Sequence, residues 1–209
     1  MSKRRVGLII MLVGILAAVA GLGLGGYNLW DNHRAGVQAN EVLKTIVQHQ
    51  KETMANPTAT PEAPSDILLP EPEEELPVLE VDGGRYIGTV SIPVIDVELP
   101  VQEDWSLAKL KASPCRYMGS PYSGDLILCA HNYATHFGRL KNLLPGDEVI
   151  FTDLEGNVFR YTVAAMENLA GTAVEEMEGG EWDLTLFTCT LGGQARVTVR
   201  CNALEQNET

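Results

Sequence analysis

Apolar and polar positions fall into three regimes along the chain. Val6 to Trp30 is an uncharged run of about 25 residues, long enough as a helix to cross a ~30 Å hydrocarbon layer. Between Ala35 and Gln50 apolar residues recur at helical spacing, at Ala39, Val42, Leu43, Ile46 and Val47. From Arg85 onward, short runs rich in Val, Ile, Leu, Thr and Phe alternate with Gly, Pro, Asn and Asp, the pattern of many short strands and turns. Strands are expected at Tyr86–Ile92, Val94–Val101, Leu126–Ala130, Glu148–Thr152, Val158–Ala165, Leu184–Cys189 and Arg196–Cys201. Pro93 and Pro100 limit the first two to edges or bends. Trp105–Lys111 reads as a short helix stopped by Pro114, Phe137–Leu144 as a helical turn and 168–183 as a loop. Leu154-Glu155-Gly156-Asn157 is a hairpin signal. The fold class is all-β, a barrel or sandwich with short helices, behind an N-terminal helix.

The expected organisation is a basic tail (1–5), a transmembrane signal anchor (6–30), a juxtamembrane helix (31–53), a Pro/Glu-rich tether (54–84) and a folded domain (85–209). Lys3, Arg4 and Arg5 keep the N-terminus in the cytoplasm, which puts everything after Trp30 outside. Ala18-Val19-Ala20 resembles a cleavage site, but the apolar run continues past it, which favours an uncleaved anchor. The helix 31–53 can pack on the domain, on another chain or on lipid headgroups. The tether, with Glu71-Pro72-Glu73-Glu74-Glu75, reads as a spacer holding the domain off the membrane. The net charge of −13 over 209 residues argues against nucleic acid, whose phosphates need basic surface.

The chemistry concentrates on the last two strands. Cys189 ends one and Arg196 opens the next, with Gly192-Gly193 breaking the chain between them. Side chains alternate along a strand, so Arg196, Thr198 and Arg200 share one face, and Val197, Val199 and Cys201 the other. A thiol and a guanidinium then meet at one sheet edge, and a neighbouring cation favours the reactive thiolate. Such a nucleophile needs an acid–base partner, normally His. His131 closes an apolar strand and can face a second strand end; His136, at a helical turn, is the alternative. Arg200 is the alternative to Arg196, farther along the same strand. Cys129 and Cys201 read as small buried hydrophobes and Cys115 stays unassigned. Without a Cys-x-x-Cys pair, and with the His residues scattered, no zinc site is expected. Glu167, Glu175, Glu176, Glu178 and Glu181 make calcium conceivable, but the spacing fits no EF-hand, and a solvated acidic loop is the favoured reading. No cofactor is expected.

Ala130-His131-Asn132, then His136-Phe137-Gly138-Arg139-Leu140, and Thr188-Cys189 followed by Arg196 together resemble the sortase family of cysteine transpeptidases. Tyr86 to Pro93 and Leu99-Pro100-Val101 resemble its opening strands, so the likeness spans roughly Arg85 to Ala203. Ala130 stands where many members carry Gly. The resemblance implies a closed eight-stranded barrel and cleavage after Thr in a Leu-Pro-x-Thr-Gly-like sorting signal. It implies Cys189 as nucleophile, His131 as acid–base group, Arg196 as donor to the oxyanion or substrate backbone, and Thr188 and Asn132 as substrate contacts. The implied partners are secreted proteins bearing that signal and an amine of a peptidoglycan precursor or pilin, at the outer face of a Gram-positive membrane. The short 168–183 loop resembles classes D and E, with class B open. A peptidase that mainly hydrolyses the signal, or a catalytically silent anchored barrel used for binding, are the alternatives.

Overall fold

A computed structural model of the chain describes residues 3–55, 76–190 and 192–204. Its strands are β1 (Leu79–Val81), β2 (Gly84–Ile92), β3 (Val97–Gln102), β4 (Cys115–Met118), β5 (Leu126–Ala130), β6 (Glu148–Asp153), β7 (Val158–Ala170), β8 (Leu184–Cys189) and β9 (Ala195–Ala203). Each carries one apolar face that must leave water, and closing the sheet buries those faces together while removing its edges. The order is β2-β3-β4-β5-β8-β9-β7-β6, and β6 pairs back onto β2 from Gly88↔Asp153 to Ser91↔Ile150. Eight strands thus form a closed barrel, with β1 added as a hairpin arm on β2. Gly88 permits the closure. Its φ is +151°, and a Cβ there would lie 2.2 Å from the carbonyl oxygen of Thr152.

The barrel is filled from alternate positions. Val97, Leu99 and Val101 of β3, Leu126 and Leu128 of β5, Phe151 of β6, Val163 of β7, and Leu184 and Leu186 of β8 form one buried cluster with Val199 and Cys201 of β9. Fully burying a side chain of this size stabilises the fold by roughly 1.5–3 kcal/mol.

Several elements differ from expectation. Val94 and Ile95 lie in a 3-10 turn (Pro93–Ile95), and Asp96, at φ +54°, ends it before β3 begins. Of Trp105–Lys111 only Lys109–Lys111 forms a 3-10 turn. β7 runs on to Ala170 because β9 supplies a partner along its full length, to Ala170↔Ala195. The rest of the 168–183 loop contains α2 (Val174–Glu178). β1 falls inside the segment expected as tether. Asp82 and Gly83, both at positive φ, form the two-residue turn into β2, a preferred hairpin geometry for Asp-Gly. The remainder of that tether, 56–75, lies outside the described residues, as do Met1 and Ser2 of the basic tail.

One helix, α1 (Lys3–Ala55), covers both the apolar run and the amphipathic segment without a break. Residues 7–30 are exposed, and the apolar stretch is long enough to cross a membrane. From there the buried positions are Asp31, Ala35, Ala39, Val42, Ile46 and Gln50, a single stripe at helical spacing. Of the three surfaces open to this segment, the barrel is the one it covers. Ala39 joins the main core, and Val42 and Ile46 pack with Tyr86 and Leu154. Near its end, Gln50 Nε2 donates to the carbonyls of Asp153 (2.7 Å) and Thr152 (3.3 Å). Docking begins at Asp31, so the helix, not the 54–84 segment, sets the spacing between the apolar run and the barrel.

Phe151 is fully buried at the β2–β6 closure. Phe151→Ala is expected to cost about 3–5 kcal/mol, read from the denaturant midpoint of the full chain in detergent. A loss below about 1 kcal/mol would show that this closure is not part of the cooperative core.

Candidate active site

The site is built by three neighbouring strands. β5 and β8 run parallel, in register from Leu126↔Leu184 to Ala130↔Thr188. The residues that follow, His131 and Cys189, therefore reach the same rim on adjacent strands about 5 Å apart. β9 returns antiparallel to β8 and puts Arg196 directly opposite Cys189. Thr188 fastens this rim: its buried hydroxyl donates to the Ala130 carbonyl at 2.8 Å, so its proton is committed to the backbone just before His131. The structure thus gathers His131, Cys189, Arg196 and Thr188 at one end of the barrel.

A cavity of about 490 Å³ opens there, lined by Cys189, Thr188, Thr190 and Val197 on one side and by Asn132, Gly138, Arg139 and Lys141 on the other. His131 stands beside it, one residue before Asn132. A larger hollow of about 720 Å³, bordered by Arg85, Glu103, Arg116 and Tyr122, contains none of these groups. The thiol, not the volume, makes the smaller one the candidate reactive pocket. Arg196 lies along its own hairpin loop, donating from Nη1 to the carbonyls of Gly193 (3.2 Å) and Ala195 (3.4 Å).

The imidazole of His131 packs against the Tyr133 ring, with centroids 4.1 Å apart. Burial and then the Lys111 ammonium lower its pKa from the ordinary value, while the Asp31 carboxylate acts in the opposite direction. The 131–138 loop that carries it folds tightly on itself. The backbone N–H groups of His136 and Gly138 both donate to the Tyr133 carbonyl at 2.9 Å. A Cβ at Gly138 would meet the Asn132 carbonyl oxygen at 2.4 Å, so only glycine fits. Gly138, within the motif that carries the family resemblance, thus has a steric role that its local sequence does not announce, and neither does local pattern mark Arg139 and Lys141 as pocket walls.

The two alternatives part company here. His136 is fully buried, and neither ring nitrogen makes a hydrogen bond of good geometry, although the Ala35 backbone acts on the ring. Arg200 is also buried. It donates to Glu167 (3.2 Å), to Thr185 Oγ1 (3.0 Å) and to the carbonyls of Met177 (2.9 Å) and Glu176. It therefore fastens α2 and its loop to the barrel. Among the described residues no cluster of three or more His, Cys, Asp or Glu could hold a metal. Glu167 pairs with Arg200 instead, and Glu178 accepts a hydrogen bond from Tyr117.

All four cysteines are free thiols, and only Cys189 is not buried. Cys115 and Cys129 face each other across β4 and β5, and burial pushes the Cys115 and Cys201 thiols up to about 12. A maleimide probe on the native chain is expected to label Cys189 first; equal labelling of all four in the folded state would contradict this burial pattern. Burial, with His131 nearby, holds His136 down to about 4 against an ordinary 6.5, with the Ala35 backbone pulling the other way. A depressed folded value means that the unfolded chain takes up the proton first. Stability should be complete above pH ~6.5 and fall by about 3 kcal/mol on going down to pH ~4. His136→Phe should flatten that slope in denaturant midpoints measured against pH; an unchanged slope would assign it to other groups.

Comparison with known proteins gives a consistent answer. The family model for the sortase domain matches residues 90–204. The chain is 26% identical over 200 residues to sortase A of Bacillus anthracis, covering 90% of this chain and 89% of that protein. Its structure is similar to sortase C1 from Streptococcus agalactiae, with a TM-score of 0.54 and 26% identity over 61% of this chain and 72% of the other. Sortase C1 from Streptococcus suis gives 0.50 and 27%, over 59% and 75%. With a thiol, an imidazole and a guanidinium at one rim of a closed barrel, and a family match over more than half its length, the chain belongs to the sortase family of cysteine transpeptidases, which act on sorting-signal substrates and amine acceptors.

Proposed function

We propose that this sortase is a single-pass membrane enzyme. It cleaves a Leu-Pro-x-Thr-Gly-like sorting signal through a Cys189 thioester and transfers the acyl group to an amine of a cell-wall precursor or pilin. The observation that carries this reading is the register Ala130↔Thr188 and Cys189↔Arg196, which aligns three reactive side chains beside one cavity. The apolar half of α1 is the anchor, with Lys3, Arg4 and Arg5 on the cytoplasmic side and the barrel outside.

In this reading the Cys189 thiol passes its proton to His131, its sulfur attacks the Thr carbonyl carbon and the carbonyl electrons move onto oxygen. Arg196 turns from its loop carbonyls to donate to that oxyanion, a task suited to its fixed charge and planar fork. As the oxyanion collapses, the C–N bond breaks and His131 gives its proton to the departing amine. The incoming amine then attacks the thioester, His131 takes its proton, and the sulfur leaves. Dividing one hard displacement between two easier steps is the gain of covalent catalysis. Asn132 and the wall around Thr188 contact the signal. These steps use side chains alone.

The test is turnover of a sorting-signal peptide by the full chain in detergent, with and without an added amine. Cys189→Ala should abolish it, His131→Ala should lower it by about 10²–10⁴-fold, and Arg196→Lys by about 10²-fold. Undiminished cleavage by Cys189→Ala would end the proposal. A product that is free acid however much amine is added would favour the hydrolytic peptidase.

A further inference from the structure

The helix that leaves the apolar run ends up against the loop that carries His131. The phenol of Tyr133 donates to Asp31 Oδ2, and the other face of that arrangement is the His131 ring, 4.1 Å from the Tyr133 ring. Asp31 Oδ1 accepts from Arg34 at 3.0 Å, and Arg34 in turn lies 5.3 Å over the Trp30 ring. One residue on, Asn32 accepts from Thr135: its Oδ1 lies 3.1 Å from the Thr135 hydroxyl and 3.4 Å from its backbone N–H. The approach is close. A Cβ at Gly36 would sit 2.9 Å from Thr135 Cγ2, and Ala35 is buried. These contacts join residues about a hundred positions apart and converge on the loop 131–136.

We propose that Asp31 and Tyr133 are a positioning pair that couples the docked helix to the His131 imidazole, so that α1 is a working part of the active site as well as its anchor. The proposal rests on the acid–base role assigned to His131 above. Tyr133 holds the ring on one side, and Asp31 fixes Tyr133 while favouring the imidazolium. The charged and titratable groups that act on or touch His131 are Asp31, with its partner Arg34, from α1, Lys111 from the 3-10 turn before β4, and Tyr133 and His136 from its own loop, with Cys189 next to it on the adjacent strand β8. Among them Asp31 is the carboxylate, and it opposes Lys111. The Asp31 carboxyl is itself held below its ordinary range, first by the Tyr133 hydrogen bond.

The test compares full-length wild type, Asp31→Asn, Tyr133→Phe and the double variant, all in detergent. Two readouts are used: sorting-signal transpeptidation, and the titration of His131 followed by NMR of labelled imidazoles. Each single variant should lower kcat by about tenfold or more with KM nearly unchanged, because the reacting group is misplaced while the pocket is intact. The double variant should be no worse than the poorer single one, as expected for a coupled pair. In Asp31→Asn the His131 titration should move to lower pH, and the alkaline limb of kcat should move with it; Asp31→Glu should restore part of both. Merely loosened helix packing would leave the His131 titration in place. Variants with wild-type kcat and an unmoved His131 titration would overturn the proposal. If wild type itself fails to transpeptidate, the function proposed above fails, and the His131 titration alone still decides whether Asp31 acts on that ring.

Discussion

The register of β5 against β8, and of β8 against β9, is the constraint on which everything at the rim depends. Side chains alternate with a period of two, so a slip of one residue exchanges the faces of a whole strand. Leu126 and Leu128 of β5 and Leu184 and Leu186 of β8 are all fully buried. A slip would turn two leucines out of the barrel interior, onto the face now held by Ile127 and Cys129 or by Thr185 and Phe187, and turn the Cys189 thiol inward. The apolar filling of the barrel is therefore also what aims the thiol. The Thr188–Ala130 bond adds a polar clasp one residue before the chemistry.

Arg196 and Arg200 show how one strand face divides its labour. Both project on the same side of β9, four residues apart. Arg200 is 2% exposed and satisfied by a carboxylate, a hydroxyl and two carbonyls. A buried cation with so many fixed partners cannot leave them without large cost, so it serves as a rivet for α2. Arg196 sits at the rim with two carbonyls of its own turn. Its bonds are few and near solvent, so exchanging them for a substrate oxygen costs little.

The strands around the rim were readable because β5, β8 and β9 are short, apolar and bounded by turn residues, and strand ends fix where their last residues go. That much of the site follows from local pattern. The closed barrel came from the family resemblance, since alternation alone left barrel and sandwich both open. The Asp82-Gly83 turn was a legible hairpin signal, hidden by the Pro/Glu-rich composition before it. The extra length of β7 was not legible, because it depends on β9 pairing with it through Ala195. The link from Asp31 to Tyr133 had no local sign either. It joins a helix and a loop that meet only after the barrel has formed, and nothing in either segment names the other.

α1 continues from the apolar run into the docking stripe without a break, and this makes the protein a rigid lever instead of a domain on a leash. Each helical residue advances about 1.5 Å and turns about 100°. One residue inserted between Trp30 and Asp31 would therefore swing the whole barrel, with its reactive mouth, by about that angle around the axis of the apolar run. The compass bearing of the pocket is written into the phase of a single helix.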